Sequence, residues 1–313
     1  MLIGAALFAA PAQALQTTDR PTAASALPPA APDPAALDPA APAPVDPLAI
    51  TALDLRMTVP VSIGGGAPWP FIIDTGAERT VVSGELVRRL RLTPGPVRRV
   101  LTMAGTTLAP TALLPGLRVG KLDSLPIEAP VFARANLGAI GMLGIDALQG
   151  QKVAIDFVTD TMTLAPSGKR RRPSARRDEI VIVAKSLYGQ LIVTDARWRG
   201  RRIAVVIDTG SPVTVANLAL LRIARKPPPS LGTMTLIAAS GVAIPANAYL
   251  LDRVEIGGVS LLGVSVAVAE VAPFRRFGLS DRPALLLGME TLRLFRAVDI
   301  DFANRTIVLK LPR

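Results

Sequence analysis

Two aspartates, Asp74 and Asp208, each end an apolar run and precede Thr-Gly: "FIIDTGA" (71–77) and "VVIDTGS" (205–211). A carboxylate is costly to bury, so an apolar strand that twice delivers one needs a compensating chemistry. Two carboxylates brought into contact resist double ionisation, keep one proton between them and titrate as a unit. The ionised member can take a proton from water while the protonated member gives one to an amide carbonyl. That is general acid–base catalysis by two identical side chains. Other routes are few. The 313-residue chain has no histidine and no cysteine, which excludes Ser-His-Asp and thiolate catalysis, disulfides and the commonest zinc ligand. No cofactor and no metal are expected.

A single Asp-Thr-Gly is an ordinary turn closing a strand. Here the surroundings are duplicated as well. "RMTVPVSIGGGAPWPFIIDTG" (56–76) lies over "QLIVTDARWRGRRIAVVIDTG" (190–210) without a gap at an offset of 134 residues. Met57 falls on Leu191, Val59 on Val193, Ile73 on Ile207, and Gly66 on Gly200 at an expected hairpin turn. "SIGGGAPWP" (62–70) lacks the spacing of a phosphate loop and reads as that hairpin. The ends of the halves match too: 142–164 parallels 286–309 with one insertion, pairing Gly144 with Gly288 and Asp156-Phe157 with Asp301-Phe302. Self-similarity of this kind means two homologous lobes.

The elements that must carry these loops are mostly strands. Short alternating apolar runs bounded by Gly, Pro, Asn and Asp predict strands at 57–63, 69–74, 97–103, 117–119 and 153–157 in the first lobe. In the second they fall at 180–184, 190–197, 202–208, 233–238, 250–256, 264–269 and 297–301. Helical pattern is brief, at 84–92, 216–223 and after Gly144 and Gly288. The organisation read from this is 51–166 and 180–313 as two lobes joined by a basic linker, 167–179. A Pro/Ala-rich segment, 15–50, precedes them, in which 20 of the residues from 21 to 50 are Pro or Ala; that composition predicts an extended tether. Residues 1–14 read as the remnant of a secretory signal whose basic start lies upstream, so a periplasmic or secreted protein is expected.

The paired "DTGA" (74–77) and "DTGS" (208–211), each followed by an apolar-apolar-Gly loop, resemble the aspartic proteases of the pepsin and retropepsin clan. The closest resemblance is to bacterial retropepsin-like forms with both lobes in one chain, and it covers roughly residues 51–313. It implies an all-β fold of two β-barrel-like lobes about a pseudo-twofold axis, and an endopeptidase whose catalytic residues are Asp74 and Asp208. It further implies that Thr75 and Thr209 cross-bond to the opposite loop. Gly76 and Gly210 are expected to permit the turn and to leave backbone amides facing the carboxylates. Ser211 can add a hydroxyl bond to Asp208 that Ala77 cannot give Asp74, so Asp74 is expected to be the more readily protonated partner. Asp146 and Glu290 are expected to make structural contacts.

Hairpin tips at Met103-Ala104-Gly105-Thr106 and, in "AASG" (238–241), at Ala239-Ser240-Gly241 occupy equivalent places and suit lids over an extended peptide. Two such tips resemble the retroviral pattern, and neither carries the tyrosine of a pepsin flap. The substrate implied is a polypeptide with apolar residues flanking the cut, and the protein is expected to act as a monomer with an internal pseudo-dimer. The net charge of +11 favours anionic partners. No nucleic-acid reader motif accompanies it, so nucleic acid is not expected as a partner. Six basic residues among 169–177 form a solvated linker, with an anionic-surface contact or a processing site as sharper readings. Two further functions stay open: a catalytically silent peptide- or protein-binding module, and an adaptor for anionic surfaces.

Overall fold

The computed structural model describes residues 48–49, 51–53, 55–148, 150–168 and 178–312. The signal-like segment, the basic run 169–177 and all of the Pro/Ala-rich segment but Leu48–Ala49 lie outside them. Strands dominate and the helices are single turns or little more, so the all-β expectation holds.

Each lobe repeats one strand order. In the first, Arg56–Ile63, Trp69–Ile73, Gly141–Leu143, Val81–Ser83, Ile127–Phe132, Gly105–Leu114 and Thr93–Thr102 lie side by side. In the second the same places are taken by Gln190–Trp198, Arg201–Ile207, Ala284–Leu287, Val215–Ala216, Val259–Val268, Ala243–Ile256 and Ser230–Ile237. The second sheet curls until it closes, Ala196 pairing with Ile256; in the first, Leu117–Val119, which follows Gly105–Leu114 after a short turn, pairs with the far edge strand at Val61. Alternation gives the first sheet its buried face: Met57, Val59, Val61 and Ile63 point inward and are at most 5% exposed, and such side chains contribute about 2 kcal/mol each when buried. Equivalent N-caps start the helix after each Asp loop. The Ser83 hydroxyl accepts from the Leu86 amide and the Asn217 side chain from the Leu220 amide.

A third sheet joins the halves, three strands from each, where Gln151–Asp156 pairs with Ala297–Asp301. Its order is Leu48–Ala49, Thr161–Pro166, Gln151–Asp156, Ala297–Asp301, Thr306–Lys310 and Glu179–Val183. Val153, Ile155, Val298, Ile300, Ile307 and Leu309 are buried in it and belong to one core that runs through both lobes. This tightens the sequence-derived boundaries. Leu48–Ala49, placed in the tether, pair with Met162 and Thr161. Both ends of the 167–179 linker are held by the second lobe: the Ser167 hydroxyl donates to Asp301, and Asp178 pairs with Arg296 at 3.3 Å.

Several strands carried little apolar signal. Gly105–Leu114 contains Pro110, which interrupts a strand pattern. Its place in the ladder is opposite a bulge, because the register slips between Gly95 and Arg98 on the partner strand, so no pairing amide is needed there. Ile127–Phe132, Gly141–Leu143, Ala284–Leu287 and Thr306–Lys310 are short, fully paired strands that alternation alone did not pick out. The hairpin turn also moves: Gly64 and Gly65, with φ of 57° and 77°, make the turn that Gly66 was expected to make.

Candidate active site

The strands Trp69–Ile73 and Arg201–Ile207 each run parallel to the strand that precedes the Leu-Gly loop. Those neighbours seize the first backbone group after the strand end: the Asp74 amide donates to the Leu143 carbonyl at 2.9 Å and the Asp208 amide to Leu287 at 3.0 Å. Behind them, Gly144 and Gly288 are pressed against backbone. A Cβ on Gly144 would lie 2.3 Å from the Arg79 carbonyl carbon, and one on Gly288 would lie 2.2 Å from the Val213 oxygen. Their amides donate to the Thr80 and Thr214 hydroxyls. The Asp146 carboxylate accepts from both the amide and hydroxyl of Thr80, and the Ser265 hydroxyl donates to Glu290. Both acids make the structural contacts expected of them.

The two loops meet across the pseudo-twofold axis. The Thr75 hydroxyl donates to the Ile207 carbonyl at 3.0 Å, and the Thr209 hydroxyl to Ile73 at 2.8 Å. Each hydroxyl also accepts the other threonine's amide, at 3.1 and 3.2 Å. This four-bond lock is wholly buried and fixes the aspartates that precede it. The Gly76 amide donates to Asp74 Oδ1 at 2.9 Å and the Gly210 amide to Asp208 Oδ1 at 3.1 Å. Neither glycine has a positive φ, so the turn itself does not require them. What excludes a side chain is the opposite carboxylate: a Cβ on Gly76 would sit 2.8 Å from Asp208 Cγ, and one on Gly210 would sit 2.2 Å from Asp74 Cγ.

The carboxylates are within hydrogen-bonding reach of one another, and burial is the main influence on both. It raises Asp74 to about 7 against the Gly76 amide and the nearby Arg56 guanidinium, which oppose it. Asp208 is raised well above the ordinary carboxylate range by burial and then by the charge of Asp74. Asp74 Oδ2 is buried with no N–H or O–H donor from the described residues, which leaves the Asp208 carboxyl as the group beside it. Both carboxyls are thus held above the ordinary carboxylate range, and the Arg56 charge favours the ionised form of Asp74 alone. Ser211 does not favour the charged form of Asp208 through its hydroxyl, because that hydroxyl donates to the Val213 carbonyl at 2.7 Å. Ala77 and Ser211 serve the dyad alike, through their backbone amides.

Two buried residues were not singled out from the sequence. Arg56 is 0% exposed and its Nη1 donates to the Leu137 carbonyl at 3.1 Å. Gln190 is equally buried, with Nε2 donating to the Gly76 carbonyl at 3.0 Å. The signal was their position: they head the two aligned segments of the repeat, one over the other.

The hairpin tips reach across the axis. Met103 is buried in the apolar cluster of the second lobe with Val206, Leu236 and Phe274, and its carbonyl accepts from the Ala272 amide at 2.8 Å. Ala239 is buried in the cluster of the first lobe with Ile72, Leu137 and Met142. Gly241, at φ 83°, lies against Asn136 of that lobe. The Thr102 and Ser240 hydroxyls meet at 3.4 Å. Ala104 and Thr106 face solvent and Gly105, at φ 124°, is half-buried between them. With both tips in place Asp74 is fully buried and Asp208 is 2% exposed. Beside the first Asp loop, Glu78 pairs with Arg276 at 3.2 Å, and Arg276 stacks on Tyr188. This clasp between the halves went unseen because Glu78 and Arg276 are 198 residues apart.

Two β lobes sharing an axis, with paired Asp-Thr-Gly loops locked across it, define a two-lobed retropepsin-like architecture. The family profile described as aspartyl protease matches residues 59–147 and 194–291, one match per lobe and more than half of the chain together. The chain belongs to the aspartyl protease family. No curated protein matches its sequence.

Proposed function

We propose that the protein is an aspartic endopeptidase in which a water held between Asp74 and Asp208 attacks the scissile carbonyl of a polypeptide. Asp74, ionised, takes the proton of the attacking water; Asp208 gives its proton to the carbonyl oxygen, and the tetrahedral intermediate collapses with protonation of the leaving amine. The observation that carries this reading is the Thr75–Thr209 lock, which fixes two buried carboxyls side by side. The flap tips would lift from the opposite lobes to admit an extended peptide and close again to exclude water. Their apolar undersides fit apolar residues beside the cut. The enzyme would act as a monomer and, given the signal-like residues 1–14, in the periplasm or outside the cell. Residues 169–177 offer an anionic surface a contact.

The test compares wild type with Asp74→Asn and Asp208→Asn on a peptide library, with and without pepstatin. Loss of cleavage in each single variant is expected. Cleavage at the wild-type rate by both variants would end the reading. A folded wild type that binds peptides without cutting them would favour the silent binding module.

A further inference from the structure

The two halves of the dyad are supplied alike by their own loops: one glycine amide and one following amide for each carboxylate. The difference enters from the neighbouring strand. Thr58 pairs with Ile72 and Ile192 with Val206. Continued by two residues, these registers set Arg56 opposite Asp74 and Gln190 opposite Asp208. The repeat thus places a permanent cation beside one aspartate and a neutral amide beside its copy. Both side chains are sealed from solvent, where a charge is screened least.

We propose that Arg56 is the positioning residue that breaks the symmetry of the dyad, keeping the negative charge on Asp74 and the shared proton on Asp208. This rests on the acid–base reading of the pair but concerns which member does which job. Among the described residues, charged neighbours of the first loop pair with each other, Glu78 with Arg276 and Arg79 with Asp146. Gln190 contributes no charge and is occupied with the Gly76 carbonyl. The Arg56 guanidinium is oriented by the Leu137 carbonyl, on the short helix whose neighbour Asn136 touches the second flap at Gly241. The influence of Arg56 on Asp74 acts in the same direction, toward the ionised form. The donorless Asp74 Oδ2 is the acceptor such a proton on Asp208 requires.

Carbon-13 NMR of aspartate-labelled protein reads the two ionisations without any turnover, with the signals assigned by Asp74→Asn and Asp208→Asn. In wild type the Asp74 signal should titrate first and Asp208 should stay protonated through neutral pH. Arg56→Gln, which makes the two halves alike, should move the first ionisation up by about one pH unit or more, and Arg56→Lys should restore it. The exchange Arg56→Gln with Gln190→Arg keeps one buried cation should the single variant not fold, and it should carry the charge over to Asp208. The acidic limb of kcat/KM should follow these shifts in each variant. A folded Arg56→Gln or exchanged protein that titrates like wild type would overturn the proposal. These outcomes are read whether or not the protein cleaves peptides, so failure of the asymmetry and failure of the protease reading are separate results.

Discussion

Gly210 stands so close to Asp74 that a Cβ on it would lie 2.2 Å from the carboxyl carbon, whereas the reciprocal approach of Gly76 to Asp208 leaves 2.8 Å. Glycine is required at both positions by the carboxylate across the axis. Gly210→Ala must push Asp74 or split the loops, and overpacking of this kind costs about 1–3 kcal/mol. Gly76→Ala should cost less. Chemical denaturation of both variants, with peptidase assays alongside, checks the order. Equal stability of the two, with unaltered activity, would contradict the reported closeness.

The threonine lock predicts a sharp division between hydroxyl and methyl. Thr209→Val removes the donor to Ile73 and the acceptor for the Thr75 amide, leaving two buried backbone groups unpaired at about 1–3 kcal/mol each. Thr209→Ser keeps both bonds and should lose about 1 kcal/mol of methyl burial. Thermal unfolding of the pair separates the two effects, and a Ser variant as unstable as Val would show that packing, not bonding, holds the loops.

Raised carboxyls make stability fall as pH rises. Asp74 goes from 3.8 to about 7 on folding and Asp208 is raised as well, so between about pH 4 and 7 the folded chain binds more protons than the unfolded chain. Under linkage, the stability present below pH 4 is then lost progressively toward pH 7. Half-buried paired acids such as Glu85, whose carboxyl is lowered by Arg134, act in the opposite sense and at lower pH. Asp208→Asn should flatten the slope in the upper window. Unfolding midpoints of wild type and variant from pH 4 to 7.5 test this, and a difference independent of pH would refute it.

Met103 anchors the first hairpin tip in the second lobe, where it is 1% exposed. Met103→Ala removes that anchor at a cost of about 2–5 kcal/mol if felt by the whole fold. Because it lies at a hairpin tip, most of the loss should instead appear as local opening. Hydrogen exchange is the measurement: amides of 100–108 should exchange faster while those of 297–301 do not. Uniform acceleration would mean that the tip is part of the global core.

The parts legible in the sequence are those that the duplication wrote twice. Asp74 and Asp208, their threonines, Gly144 and Gly288 announced themselves by recurring in matched surroundings. Arg56 and Gln190 occupied a matched pair too, but unlike side chains at one repeat position give no motif to recognise. Ser211 was misjudged because its hydroxyl has a nearer acceptor in Val213, a fact of local geometry invisible in composition. Gly105–Leu114 was obscured by Pro110, whose missing amide is harmless only because the partner strand bulges opposite it. The reach of Met103 and Ala239 into opposite lobes depends on tertiary packing, so periodicity could not reveal it.

The third sheet has a mechanical consequence. Gln151–Asp156 of the first half lies directly beside Ala297–Asp301 of the second, and Thr306–Lys310 continues the sheet on the second-half side, through unbroken ladders. A clamshell swing of one lobe on the other would shear those ladders, so the base of the molecule behaves as a rivet and not as a hinge. For a peptidase built this way, entry to the aspartates is expected to come from peeling back two small tips over a rigid floor. Cutting the gene between the lobes would leave each fragment holding torn halves of one sheet.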